Sequence, residues 1–177
     1  SHTVRTMIEE YRAEFRRYNG FVESILDQVD DEVLNRQPVA GGNSIAMLIR
    51  HLNGNLHSRF TDFLSTDGEK AWRNREDEFA PVILSIMEAR TLWKQGFRIL
   101  DEALSSLVST DLDRDVSIRG QTLSVRAALL RSLAHLSYHV GQMVIMARTG
   151  TSDAWVFMTI PPGQTAAYNQ NPTRERG

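Results

Sequence analysis

Three histidines are the side chains of this 177-residue sequence best placed to do chemistry. His135 and His139 stand in Ser132-Leu133-Ala134-His135-Leu136-Ser137-Tyr138-His139-Val140-Gly141-Gln142, and on a helix an i, i+4 spacing stacks two imidazoles on one face. A pair of this kind recurs in helices that bind nothing, so its surroundings decide. Leu129, Leu133, Leu136, Val140, Met143 and Ala147 make the core ridge of the same helix; the histidines lie in the adjoining row with Ala128, Ser132, Gln142 and Met146. That row is the margin of the buried face. Upstream, His51 is placed in the same way, on the row Ser44, Leu48, His51, Asn55 beside the Leu48–Leu52 ridge. One imidazole from one helix and a pair from another can meet in a helical core as three neutral nitrogen donors for a divalent ion. His57 falls about 120° around its helix from the row of His51 and reads as a surface or polar neighbour rather than a ligand.

Three protein ligands leave coordination positions open for water or substrate, which marks a catalytic site rather than a closed structural one. Neutral ligands also leave the ion its full double charge, so a bound water or thiol becomes acidic enough to lose its proton near neutral pH. Nitrogen ligands with an open position suit zinc, and nickel shares the preference. Between the paired histidines stand Leu136, Ser137 and Tyr138, so the glutamate of a His-Glu-x-x-His protease is missing. Asn55, Tyr138 and Gln142 lie close enough along the helix surfaces to steady an imidazole or carry a proton. Arg59 and Asp62 read as an ordinary helix-surface network, with part of a pocket as the alternative, and Trp72 and Trp155 as core or dimer packing, with a lid as the alternative.

Four long helical patterns must position these groups. The first spans about Thr3 to Val29 and tolerates Gly20, followed by a short turn over Asp31 to Arg36 that Gln37-Pro38 ends. A loop from Val39 leads to Ser44, a good N-cap for a second helix reaching about Leu64. Ser65 to Phe79 is a polar connection; Pro81 suits the first turn of a third helix that continues to about Leu107. Val116-Ser117-Ile118 and Gln121-Thr122-Leu123 flank Arg119-Gly120 as a small hairpin or a pair of extended segments. The fourth helix runs from about Ser124 to Thr149-Gly150. From about 151 to 177 a tail with Trp155 is expected to pack partly over the helices and then fray. The expected fold is all-α: an antiparallel four-helix bundle, or a variant with one longer crossover, in one domain across 1–177.

Composition narrows the function classes. Hydrophobic residues make up 41% and charged residues 24%, the balance of a soluble globular domain. The chain has no cysteine, which excludes disulfides, thiolate ligands and a cysteine nucleophile but leaves an external thiol as a substrate. A net charge of −2 and a pI near 6.2 argue against a general nucleic-acid binder. Lys70 and Lys94 are the only lysines, a bias we read as genomic composition. No apolar run approaches the roughly 20 residues that span a bilayer. Charge at Arg5, Glu9, Glu10 and Arg12 precedes any apolar stretch, unlike a signal peptide, so a cytoplasmic protein is expected. Ser1-His2 reads as the remnant of a cleaved purification tag, and His2 is set aside.

Ser44-Ile45-Ala46-Met47-Leu48-Ile49-Arg50-His51-Leu52-Asn53-Gly54-Asn55 resembles the second-helix stretch of the DinB/YfiT-like superfamily of metalloenzymes. So does the histidine pair in its setting, His135 to Gln142. Asp62-Phe63-Leu64 with Asp67-Gly68-Glu69-Lys70, Trp72-Arg73-Asn74-Arg75 and the tail stretch Ile160-Pro161-Pro162-Gly163-Gln164-Thr165 are similar to a bacterial branch of that superfamily described only as a domain of unknown function. The resemblance covers essentially the whole chain. It implies a four-helix bundle, often a homodimer, with nickel or zinc held by His51, His135 and His139. Superfamily members with assigned chemistry are thiol-dependent transferases and isomerases that use low-molecular-weight thiols; others are hydrolases. The expected function is therefore a small-molecule S-transferase-like activity. A metal-dependent hydrolase and a non-enzymatic dimeric binding module are the alternatives. The superfamily name refers to DNA damage but gives no warrant for DNA binding.

Overall fold

The computed structural model describes residues 5–151 and 154–175. The chain is mostly helical, with a two-stranded antiparallel hairpin ahead of its longest helix. The expected tag remnant at Ser1-His2 and the expected helix start at Thr3 fall outside the described residues.

Helix α1 (Met7–Gln28) starts where Thr6 caps it. The Thr6 hydroxyl accepts from the Glu9 amide at 3.3 Å and the Glu9 carboxylate accepts from the Thr6 amide at 2.6 Å, which satisfies two amides that a helix start otherwise leaves unpaired. A short α2 (Asp31–Asn35), capped by Asp30, follows as expected. Helix α3 (Ile45–Phe60) begins behind Ser44, whose hydroxyl accepts from the Met47 amide at 3.1 Å. It stops at Phe60, short of the expected Leu64, because Asp62 turns into left-handed backbone (φ 48°) and its carbonyl takes the Ser65 and Thr66 amides.

The polar connection that follows contains a one-turn helix α4 (Arg75–Glu78). Pro81 does not open the next helix. Helix α5 (Ile86–Ser106) starts later, at a second reciprocal cap made by Ser85 and Glu88. The stretch before it is pinned by Asn35, which donates to the Leu84 carbonyl at 2.8 Å and accepts from its amide at 2.9 Å. A 3-10 turn (Ser109–Asp113) leads into β1 (Asp115–Ile118) and β2 (Gln121–Ser124), paired from Asp115 with Ser124 to Ile118 with Gln121. That register leaves Arg119 and Gly120 as a two-residue turn with φ of 52° and 71°, the mirror-image turn that matches strand twist. A non-glycine residue there costs about 1 kcal/mol or more. Helix α6 (Val125–Thr151) begins behind Ser124, which accepts from the Ala127 amide.

Each long helix packs on two others. α3 lies along α5, and α1 along α6; α1 also meets α5, and α3 meets α6. The first contact is close: a Cβ on Gly96 would stand 3.0 Å from the Asn53 Cα. Trp93 is fully buried in the resulting core and donates its indole N–H to Asn19 Oδ1 at 2.8 Å. Leu129, Leu136, Val140, Met143 and Ala147 are buried as the α6 ridge requires, and Leu133 is half-buried. Burying such side chains stabilises the fold by about 1.5–3 kcal/mol each, and this ridge sets the azimuth of the histidines beside it. The tail does pack on the core through Trp155 and Met158, and Val156 exchanges two hydrogen bonds with the Gln28 side chain. It also forms a short α7 (Thr165–Asn169) that the sequence pattern did not suggest. Among the described residues no helix is long and apolar enough to cross a membrane.

Candidate metal centre

α3 and α6 bring His51, His135 and His139 together, with one ring nitrogen from each inside a 4.8 Å span. His51 and His139 are buried and His135 is half-buried. The Nε2 atom of His135 lies 3.1 Å from Nε2 of His51 and 3.1 Å from Nε2 of His139. Behind the two outer rings, Nδ1 of His51 faces Glu78 Oε1 at 2.8 Å, and Nδ1 of His139 faces Gln142 Oε1 at 2.8 Å. Both outer partners are acceptors, so each outer Nδ1 carries a proton and each neutral ring turns a bare Nε2 lone pair inward. His135 has at most one Nε2 proton to give, and two Nε2 atoms stand against it. One of the two contacts therefore sets lone pair against lone pair, which a shared cation relieves. A zinc ion with bonds of about 2.0–2.1 Å would hold its nitrogens about 3.3 Å apart, close to the two 3.1 Å separations at His135. The donor set fits a borderline divalent ion with nitrogen ligands.

Electrostatics favour the neutral ring at His135 and at His139. Burial, then the neighbouring charges of His139, His51, Arg59 and Arg73, holds His135 down at about 3. His139 is also held below the usual histidine value, by burial first, although its hydrogen bond to Gln142 opposes the shift. Rings that resist protonation keep their lone pairs free for a metal.

Glu78 escaped the sequence reading as part of a polar connection, and Arg73 entered it only within the stretch that carries the resemblance, with no role at the site. α4 ends by setting the Glu78 carboxylate beneath His51, where it is only 6% exposed. Arg73, with its side chain 1% exposed, donates to both Glu78 oxygens at 2.8 and 2.9 Å. Burial pushes the Glu78 carboxyl up, but hydrogen bonds from Arg73 and His51 outweigh it and hold it below the ordinary carboxylate range. The space for this carboxylate exists because residue 54 has no side chain: a Cβ on Gly54 would stand 2.7 Å from Glu78 Cδ. Gly54 one turn beyond the position of His51, followed by an acid in the next connection, was the only trace in sequence.

The other candidates divide. Gln142 fixes the tautomer of His139 as described. Tyr138 is 65% exposed, with its ring against the edge of His139, and does not line the cavity beside the histidines. Asn55 does line it: His51 and His135 open onto a space of about 200 Å³ that Asn55, Ser132 and Arg59 help enclose. Arg59 thus belongs to the site's surroundings, the pocket alternative in place of the favoured helix-surface network; it also binds Glu69 at 2.9 Å and the Gly68 carbonyl. Asp62 serves instead to end α3. His57 stays outside the cluster, half-buried, and burial followed by the charge of Arg98 lowers its proton affinity. Trp72 is 60% exposed, not core, whereas Trp155 packs against the core; neither lines the cavity.

The cavity rim is a single hydrogen-bonded piece. Asp67 accepts from the Ser117 hydroxyl and from the amides of Glu69, Arg119 and Gly120, all within 2.9 Å. These bonds hold its carboxyl far below the usual carboxylate range and tie the polar connection to the hairpin turn.

Residues 2–164 match the family described as "Protein of unknown function (DUF1572)". The chain belongs to that family. No curated protein matches it significantly.

Proposed function

We propose that this DUF1572 protein is a metal-dependent enzyme of the DinB/YfiT-like superfamily, a cytoplasmic four-helix-bundle homodimer that activates a small nucleophile at His51, His135 and His139. Convergence of three Nε2 atoms, with the outer Nδ1 protons already committed to Glu78 and Gln142, is the observation that carries the reading. A divalent ion in this cluster, zinc or nickel, supplies Lewis acidity that makes a small thiol or water nucleophilic near neutral pH. Glu78 holds the His51 ring in one tautomer and orientation, and Arg73 keeps that carboxylate ionised. Gln142 does the same for His139 without adding charge. Asn55 faces the cavity, where its amide can orient a bound small molecule.

Thiol transfer is favoured over hydrolysis by the cavity lining. No aspartate or glutamate lines the cavity among the described residues, and the nearest buried carboxylate, Glu78, is consumed by His51 and Arg73. A thiol needs no general base once acidified, whereas attack by water usually gains from one.

Metal analysis of protein prepared without a metal-chelate resin and then reconstituted with zinc or nickel tests the site. About one ion per chain is expected, with His135→Ala retaining almost none. Unchanged metal content in that variant rejects the assignment. With a reactive electrophile, turnover should require both metal and an added low-molecular-weight thiol; metal-dependent ester cleavage without thiol would favour the hydrolase instead.

A further inference from the structure

The cavity beside His51 and His135 is lined by five arginines, Arg59, Arg73, Arg75, Arg119 and Arg131, and by no carboxylate among the described residues. Around it, Glu69 is shared by three of them, at 2.9 Å from Arg59, 3.3 Å from Arg73 and 3.2 Å from Arg119, and Glu78 holds Arg73 as well. Arg75 approaches the exposed Glu76 only to 3.8 Å. Its guanidinium lies instead over the Phe79 ring, 4.9 Å from the centroid, and the Phe79 ring packs tilted against His51 with centroids 4.5 Å apart. Arg131 is exposed and makes no ion pair among the described residues. Arg119 sits in left-handed backbone (φ 52°), a conformation unfavourable for its type, which the Asp67 bonds enforce.

Like charges gathered around one small space repel, and a dipositive ion at the histidines would add to the repulsion. The arrangement makes physical sense when an anion occupies the space. We propose that the cavity is an anion subsite, in which Arg131, Arg75 and Arg119 grip a carboxylate or phosphate group of the small-molecule substrate beside His135. This rests on the three-histidine reading and adds the substrate class to it. Guanidinium forks match such oxyanions in pairs of parallel hydrogen bonds. A space of about 200 Å³ has room for about six or seven waters, a size that suits a small-molecule anion.

Calorimetric titration of the full chain, metal-free and zinc-reconstituted, with succinate, inorganic phosphate and neutral succinamide tests the proposal. Succinate or phosphate should bind in both forms and succinamide in neither; the tighter anion shows whether planar or tetrahedral oxygens are preferred. Arg131→Gln should weaken binding about tenfold, and the Arg75→Gln/Arg131→Gln pair further, with affinity falling as salt rises. Both positions are exposed, so the fold should tolerate the changes; a circular dichroism melt checks this. Anion binding that the arginine variants leave unchanged, or no anion binding at all, overturns the proposal. Metal content of the same samples separates the two readings. Arginine-dependent binding in a protein that takes up no metal rejects the three-histidine centre alone. One ion per chain with arginine-independent binding rejects the anion subsite alone.

Discussion

The α3 side and the α6 side of the histidine cluster are held from behind in different ways. On α3, His51 backs onto a buried carboxylate that is itself clamped by a buried guanidinium, so a chain of charge runs from Arg73 through Glu78 to the ring. On α6, His139 backs onto a neutral amide three residues along its own helix, at the exposed edge. The difference follows from how each ring arrives. His135 and His139 share one helix, whose geometry already fixes their spacing, and a local amide suffices to set a tautomer. His51 comes from a separate helix and must be oriented against a partner that local spacing cannot supply, so the connection after α3 folds back to provide one. The histidine delivered alone has the heavier support.

Removing Glu78 should break this contrast most severely. Glu78→Ala leaves the Arg73 guanidinium buried with only Glu69 and His51 without its acceptor, at a cost of about 3–5 kcal/mol; a thermal or urea melt reads this, and metal affinity should fall together with stability. Retention of wild-type stability would show that the charged chain is not structural. Next in size is a paired glycine test. Gly54→Ala drives a methyl into the Glu78 carboxylate and should weaken metal binding about tenfold. Gly141→Ala on α6, where nothing lies within 4 Å of the added Cβ, should leave metal binding alone and stabilise the helix by about 1 kcal/mol or less. Equal effects at the two glycines would erase the asymmetry. The smallest effect is expected at Gln142: Gln142→Ala should lower metal affinity only a few-fold and leave the melting temperature unchanged, as measured by competition with a chelating dye.

This asymmetry also explains what was legible in the sequence. The α6 pair announced itself, because i, i+4 spacing is a property of consecutive residues and Gln142 stood on the same row. His51 could be placed on a helix margin beside Leu48 and Leu52, since apolar periodicity fixes azimuth. Glu78, Arg73, Arg75 and Arg119 could not be found that way. They stand in segments with no long helical periodicity, and their positions depend on where Asp62 turns the chain, on Gly54 leaving a gap, and on Asp67 joining the connection to the hairpin. Helix boundaries failed for a related reason. The reciprocal cap of Ser85 and Glu88 outcompeted Pro81 as the start of α5, and a left-handed Asp62 ended α3 before its apolar pattern did. Element order and core faces were readable from pattern; the charged wall of the site was not, because it is written in long-range contacts.

The Asp67 clamp carries a consequence for motion. One carboxylate takes donors from both the connection and the turn, so neither can peel away without releasing the other. The amides of Glu69, Arg119 and Gly120 should therefore lose protection against hydrogen exchange in one concerted opening, not in separate flickers. Two segments about fifty residues apart in sequence would behave as one cooperative unit, a hinged frame around the cavity that Asp67 latches together with the Gly68–Ser117 backbone bond and the Arg119–Glu69 pair.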